Sequence, residues 1–274
     1  MAVDLNFILT RYLPLTTELS RLLGETFTPG TKAQASQIGQ AVALIIRRQN
    51  EGDFQGREIH FRRMVDLVDQ LRLLEHGNPD AFRSYRKKLL DSDVGNFFGT
   101  RFEIFIAALL VDKAIAFRHR SQGGPDLVAQ GAFAGAGIEC ASGNLPDQEK
   151  GPFAMQKLAG IVRTKSGKPY CSTDNVLAID VTNLHAAVRD SGGTPFHHQS
   201  KDLRDMADAS GFGSVVIFWT QHNVQDDGTF ERHHRFERFD AAACAVAVNA
   251  LLDDLLGDSY HVTDTDDWRV PFWT

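Results

Sequence analysis

The sequence predicts a mixed α/β fold: a central mixed β-sheet flanked by helices, preceded by a helical subdomain. Three observations carry this. Residues 1–95 place apolar side chains at three- and four-residue steps, the period of helices with one buried face. From residue 96 onward, short apolar runs alternate with helical stretches. Asn175–Val181 and Ser214–Thr220 are apolar on consecutive residues, as strands covered on both faces are. The expected division is a helical subdomain over residues 1–95 and an α/β domain over 96–274.

Taken in order, Ala35, Ile38, Val42, Ile45 and Ile46 form the first helical stripe. Met64, Leu67, Val68, Leu71 and Leu74 form a second, which His76-Gly77-Asn78-Pro79 should stop. Phe82, Tyr85 and Leu89 follow on a third. Arg57, Arg62, Arg63, Arg72, Arg83, Arg86, Lys87 and Lys88 are expected on the solvated faces of these helices. Phe98, Phe102, Phe105, Ile106 and Leu109 mark the next helix. Short strands are expected at Ala114–Arg118, Asp126–Gln130 and Ala136–Ala141, with the Gly-rich Gly131–Gly137 turning between the last two. Pro152–Val162 and Lys201–Ser210 read as helices. The Asp226-Asp227-Gly228 turn leads into a hairpin strand over Thr229–Phe239. Asp240 is the expected N-cap of a final helix reaching Leu256.

Composition narrows the class further. Apolar residues make up 43% and charged residues 23% of the 274, an ordinary globular balance that excludes a disordered or collagen-like chain. Cys140, Cys171 and Cys244 lack C-x-x-C spacing, so neither a disulfide framework nor a cysteine zinc site is indicated, and a reducing cytoplasm suits them. Met1 to Pro14 contains Asp4 and Arg11 and does not read as a secretory signal. The longest apolar stretches fall short of the roughly 20 residues that span a bilayer, so no membrane partner is expected. The net charge of −6 hides an asymmetry, because residues 1–100 carry 13 Lys and Arg against 12 Asp and Glu. Net charge therefore does not exclude a local surface for nucleic acid.

Several motifs are missing: the phosphate-cradling G-x-x-x-x-G-K-[ST], the dinucleotide G-x-G-x-x-G, the hydrolase G-x-S-x-G and the zinc-binding H-E-x-x-H. What remains is a set of carboxylates in apolar surroundings. Glu103 interrupts Phe102-Glu103-Ile104-Phe105-Ile106 on a helix. Pro125-Asp126-Leu127 opens a strand, and Glu139 sits within Gly137-Ile138-Glu139-Cys140-Ala141. Charged groups are seldom buried without a partner or a metal. Acids gathered in this way suit Mg²⁺, which takes one or two protein carboxylates and leaves its other positions to water and phosphate. The pairs His197-His198 and His233-His234 read as structural, since neighbours on a strand point to opposite faces. Trp219, Trp268 and Trp273 read as packing residues.

The order of helix acid, P-D strand, hairpin acid, helix and strand resembles the PD-(D/E)XK nuclease superfamily, the restriction-endonuclease-like fold. The resemblance covers about residues 96–220. It implies a metal-dependent endonuclease that hydrolyses phosphodiester bonds of DNA or RNA with Mg²⁺ or Mn²⁺. Asp126, Glu139 and the Cys140 carbonyl would hold the metal, and Glu103 would add a further oxygen. The motif lysine, which orients or deprotonates water, is replaced by Ala141. In some branches a lysine on the following helix takes over; Lys157 is the expected one, with Lys150 second. In others a glutamine there supports the site, here Gln156, and Ser142 and Asn144 are weaker alternatives. Arg163, Lys165 and Lys168 are expected to contact phosphates from a loop beyond that helix. Ala141 equally supports an alternative, an inactive nuclease-fold protein that binds nucleic acid or protein. A hydrolase of another phosphate ester, sharing only the carboxylates, is a third reading. The N-terminal helices would then serve a second copy or a protein partner.

Overall fold

The computed structural model describes residues 4–27, 31–90, 94–119, 123–144, 153–194, 196–224, 229–256 and 261–267. The fold is mixed α/β, and the chain divides into two compact units. The first comprises Met1–Val111 with His222–Glu231 and Asp264–Thr274; the second comprises Asp112–Gln221 and Arg232–Thr263. The helix bearing Glu103 thus belongs to the first unit, beyond the boundary at residue 95 expected from the sequence.

The first unit is helical. Its N-terminal helix joins α1 (Leu5–Phe7), a π-helical turn (Ile8–Tyr12) and α2 (Leu13–Leu23). Pro14 lies in the first turn of α2, where its missing N–H leaves no ladder bond unmade. Gly24 ends α2 at φ +66°, and its own N–H donates to the Ser20 carbonyl. After α3 (Lys32–Ala35), Ser36 caps α4 (Gln37–Glu51) by accepting from the Gly39 N–H. Helix α5 (Phe54–Gly77) stops at Asn78, whose side chain caps α6 (Pro79–Leu89), so the break falls where Asn78-Pro79 predicts it. Helix α7 (Val94–Asp112) completes the unit. Leu15, Leu19, Ile38, Ile45, Phe61, Val68, Leu71 and Tyr85 are buried at its core.

Arg57 and Arg62 correct the expectation of solvated basic faces: both are buried, as is Arg11. Glu58 explains two of them. Its Oε1 accepts from Arg11 Nη1 at 3.0 Å and from Arg57 Nη2 at 2.8 Å, and its Oε2 accepts from Arg11 Nη2 at 2.7 Å. The guanidinium of Arg11 lies 4.4 Å from the Phe61 ring centre and that of Arg57 lies 4.0 Å from Phe7. Paired and stacked, these cations tolerate burial.

The sheet has its strands in chain order from β1 to β7: Phe117–His119, Leu127–Ala129, Gly137–Ser142, Asn175–Asp180, Ser214–Val224, Thr229–Asp240 and His261–Asp267; β1 to β4 lie wholly in the second unit, and 222–224, 229–231 and 264–267 of the last three strands are assigned to the first. The pairs β1–β2 and β2–β3 are antiparallel, while β3–β4 and β4–β5 are parallel. Each parallel step needs a crossover. Helix α8 (Ala154–Ser166) supplies the first; α9 (Thr182–Asp190) and α10 (Ser200–Asp208) supply the second. Leu158 and Val162 of α8 pack with Ala141, Leu177, Ile179 and Val215 of the strands. Helix α11 (Val246–Leu256) starts six residues after Asp240, which ends β6 and accepts from Arg238 Nε; Asp240 is therefore not its N-cap. Among the described residues no helix is long and apolar enough to cross a membrane. Lys150, Trp268, Trp273 and the Asp226-Asp227-Gly228 turn lie outside the described residues.

Candidate functional site

The hairpin β2–β3 sets the geometry. Leu127 pairs with Ile138 and Val128 with Gly137, and Asp126 stands in a bend one residue before the first pair. Continued by one step, that register would bring Asp126 opposite Glu139, and the charges of both acids act on Tyr170. Asp126 Oδ2 accepts the Cys140 N–H at 2.8 Å, which ties the start of β2 to β3. In an extended strand the N–H and C=O of one residue point the same way. The Cys140 carbonyl is thus also directed to the Asp126 side of β3.

Glu139 is buried at 3% exposure in a strand covered on both faces. Two donors reach it, both on Oε1: Lys165 Nζ at 2.5 Å and the Tyr170 hydroxyl at 2.7 Å. Neither uses Oε2. Burial, then the hydrogen bond to Glu139 and the charges of Glu139 and Asp126, hold the Tyr170 phenol well above its ordinary pKa. The phenol therefore stays a donor at any neutral pH. Its main chain is anchored from the sheet, because Asn175 Nδ2 donates to the Tyr170 carbonyl at 2.5 Å and to Ser172 Oγ at 3.1 Å. The Asn175 amide has room only because position 137 is glycine: a Cβ there would stand 2.1 Å from Asn175 Oδ1.

Helix α8 supplies Lys165 through its phase. Leu158, fully buried against the sheet, and Lys165 are seven residues apart, almost two whole turns, so they share a face. Lys157 lies one residue, about 100°, off that face and is exposed. The lysine that meets the carboxylates is Lys165, not the expected Lys157. The helix also runs four residues beyond Val162, so Arg163 and Lys165 sit on its last turns and not in a loop. Arg163 and Lys168 are exposed, as is Gln156.

On α7 of the first unit, Glu103 Oε2 accepts from Lys88 Nζ at 2.6 Å. Ala141 is buried against α8, Ser142 ends β3 and Asn144 is exposed. His198 is exposed in a 3-10 turn, and His234 Nδ1 lies 2.8 Å from Thr220 Oγ1. Trp219 is buried and stacked on His185, as a packing residue should be.

Chemically, the described cluster in the second unit brings together the carboxylates of Asp126 and Glu139, the ammonium of Lys165 and the phenol of Tyr170. Among the described residues no group of three or more His, Cys, Asp or Glu is arranged to hold a metal ion. The oxygen pair Asp126–Glu139 suits a hard divalent cation that keeps most of its shell as water and phosphate, and does not suit a cation that needs a closed protein cage. Tyr170 and Asn175 had no counterpart in the sequence reading; Lys168-Pro169-Tyr170 gives no local sign of a contact made 31 residues away. No family model, curated protein or solved structure matches this chain.

Proposed function

We propose that the chain is a metal-dependent phosphodiesterase of the PD-(D/E)XK kind, cleaving DNA at the Asp126–Glu139 cluster. The observation that carries this reading is the Lys165 ammonium on the Glu139 carboxylate, in a hairpin whose register, continued by one step, would bring Asp126 opposite Glu139. The element order α7, β1, β2, β3, α8, β4 also agrees with the order the resemblance implies.

Asp126, Glu139 and the Cys140 carbonyl would hold Mg²⁺ or Mn²⁺. When bound, that ion supplies positive charge for the reacting phosphate and acidifies a water. Lys165 performs the task that Ala141 cannot. Its ammonium, fixed by Glu139, can donate to the attacking water or to a phosphate oxygen whose charge grows in the transition state. The Cys140 N–H orients the Asp126 carboxylate. Arg163 and Lys168, exposed on either side of Lys165, would contact the phosphate backbone without reading sequence.

Purified protein incubated with supercoiled plasmid and Mg²⁺ or Mn²⁺ tests this. Nicking is expected in the wild type and absent in Asp126→Asn and Glu139→Gln. Lys165→Ala should slow it by about 10²–10³-fold, the usual cost of losing one charge-stabilising donor, whereas Lys157→Ala leaves the rate unchanged. Nicking that survives Glu139→Gln sinks the assignment. Ala141 favours a second reading, a nuclease fold kept for binding alone. It predicts DNA retention that falls steeply with salt and no product under any divalent ion.

A further inference from the structure

We infer that Tyr170 is a positioning residue for the cation site, fixing the Glu139 carboxylate so that its second oxygen serves a divalent ion shared with Asp126. The inference rests on the carboxylate-pair reading above. Its own support is that Lys165 and Tyr170 both donate to Oε1, at 2.5 and 2.7 Å, and neither to Oε2. A flexible lysine alone gives one point of attachment, about which a carboxylate can still turn. The phenol gives a second from a rigid side chain, and Asn175 holds that side chain's backbone by donating to the Tyr170 carbonyl. Gly137 completes the arrangement by leaving space for the Asn175 amide. Among the described residues the hydroxyl's hydrogen-bond partner is this carboxylate alone.

The two donors differ in charge, and this separates orientation from damage. Tyr170→Phe removes a neutral donor and leaves the charge of the cluster unchanged, so any lost affinity reports orientation. Lys165→Met removes a cation that competes for Glu139, so it should strengthen cation binding. General damage to the site would weaken both variants.

The experiment is Mn²⁺ binding to the full chain, read from the paramagnetic resonance of the free ion. The expected result is a Kd raised about tenfold in Tyr170→Phe, the usual effect of losing a hydrogen bond to a metal ligand, and lowered in Lys165→Met. A second readout is the near-ultraviolet difference spectrum on adding Mg²⁺. A tyrosine band should appear in the wild type and be lost in Tyr170→Phe and in Glu139→Gln. Should Tyr170→Phe fail to fold, the wild-type and Glu139→Gln spectra still decide, and a wild type with no tyrosine band overturns the inference. Unchanged or tighter Mn²⁺ binding in Tyr170→Phe overturns it alone, provided Glu139→Gln abolishes binding. Mn²⁺ binding that persists in Glu139→Gln overturns the carboxylate-pair reading and this inference together.

Discussion

Each unit buries a glutamate among cations, and the two are finished differently. In the helical unit, Glu58 is fully buried and accepts on both oxygens, from Arg11 and from Arg57. Arg57 also reaches Asp4 Oδ2 at 3.4 Å, so the two guanidiniums meet two carboxylates, and aromatic rings cover the guanidinium faces. In the α/β unit, Glu139 is almost as buried but accepts on one oxygen only. A carboxylate with both oxygens taken by arginines is closed; one with an oxygen left over by its lysine and phenol donors leaves room for a further ligand. Burial alone does not distinguish them. The second oxygen does.

The largest expected effect tests the closed cluster. Glu58→Gln leaves buried Arg11 without its counter-charge and Arg57 with only the more distant Asp4, and should cost about 3–5 kcal/mol, the penalty for removing one member of a buried ion pair. Glu139→Gln is its counterpart. Its lysine partner is 25% exposed and can turn to water, and the repulsion from Asp126 disappears, so stability should change by less than about 1 kcal/mol. Urea unfolding of the two variants side by side measures both. Equal losses would break the distinction between the closed carboxylate and the open one.

Added cation gives the next effect. If the α/β cluster has a seat for Mg²⁺ or Mn²⁺, ion at a hundred times its Kd should stabilise the wild type by about 2.7 kcal/mol. The thermal midpoint rises accordingly, and Asp126→Asn or Glu139→Gln removes the rise. Glu58→Gln, though far less stable, should show the same increment. A rise that survives both carboxylate variants would place the ion elsewhere.

This contrast was only partly legible in the sequence. Periodicity located α4, α5 and α6 and even their break, because Asn78 and Pro79 act locally. The alternation of strands and helices from 96 onward gave the mixed sheet. Helix α9 was missed because Thr182–Asp190 offers only Leu184, Ala187 and Val188 as a stripe. Arg57 and Arg62 were read as solvated because charge is the usual mark of a surface, and their partners are set by tertiary contact. Asp126 and Glu139 were legible, since a Pro-Asp strand start and an acid within an apolar strand join through a short hairpin. Lys157, nearer in sequence to Glu139, was the lysine expected beside the acids; Lys165, which shares the buried face of Leu158, is the one that donates to Glu139. Tyr170 was out of reach, because no local pattern announces a contact that a loop makes with a distant strand.

The smallest effect concerns protons rather than metal ions, and it sharpens the contrast between the units. His60 lies on α5 in the helical unit, where burial and then the charges of Arg63 and Arg48 push its imidazole down to about 4 from 6.5, against a smaller opposing effect of Asp53. Because the folded pKa is depressed, the unfolded chain takes the proton first. The contribution of neutral His60 is complete above pH 6.5 and is lost as the pH falls toward 4. His60→Asn, which cannot titrate, should flatten that part of the pH–stability curve and leave the neutral region unchanged. Urea midpoints of wild type and variant at several pH values between 4 and 7.5 read the slope directly. A positive charge added at His60 destabilises, whereas one added between Asp126 and Glu139 stabilises. Identical slopes in wild type and His60→Asn would mean that neither burial nor the charges of Arg63 and Arg48 depress the His60 imidazole in the folded chain.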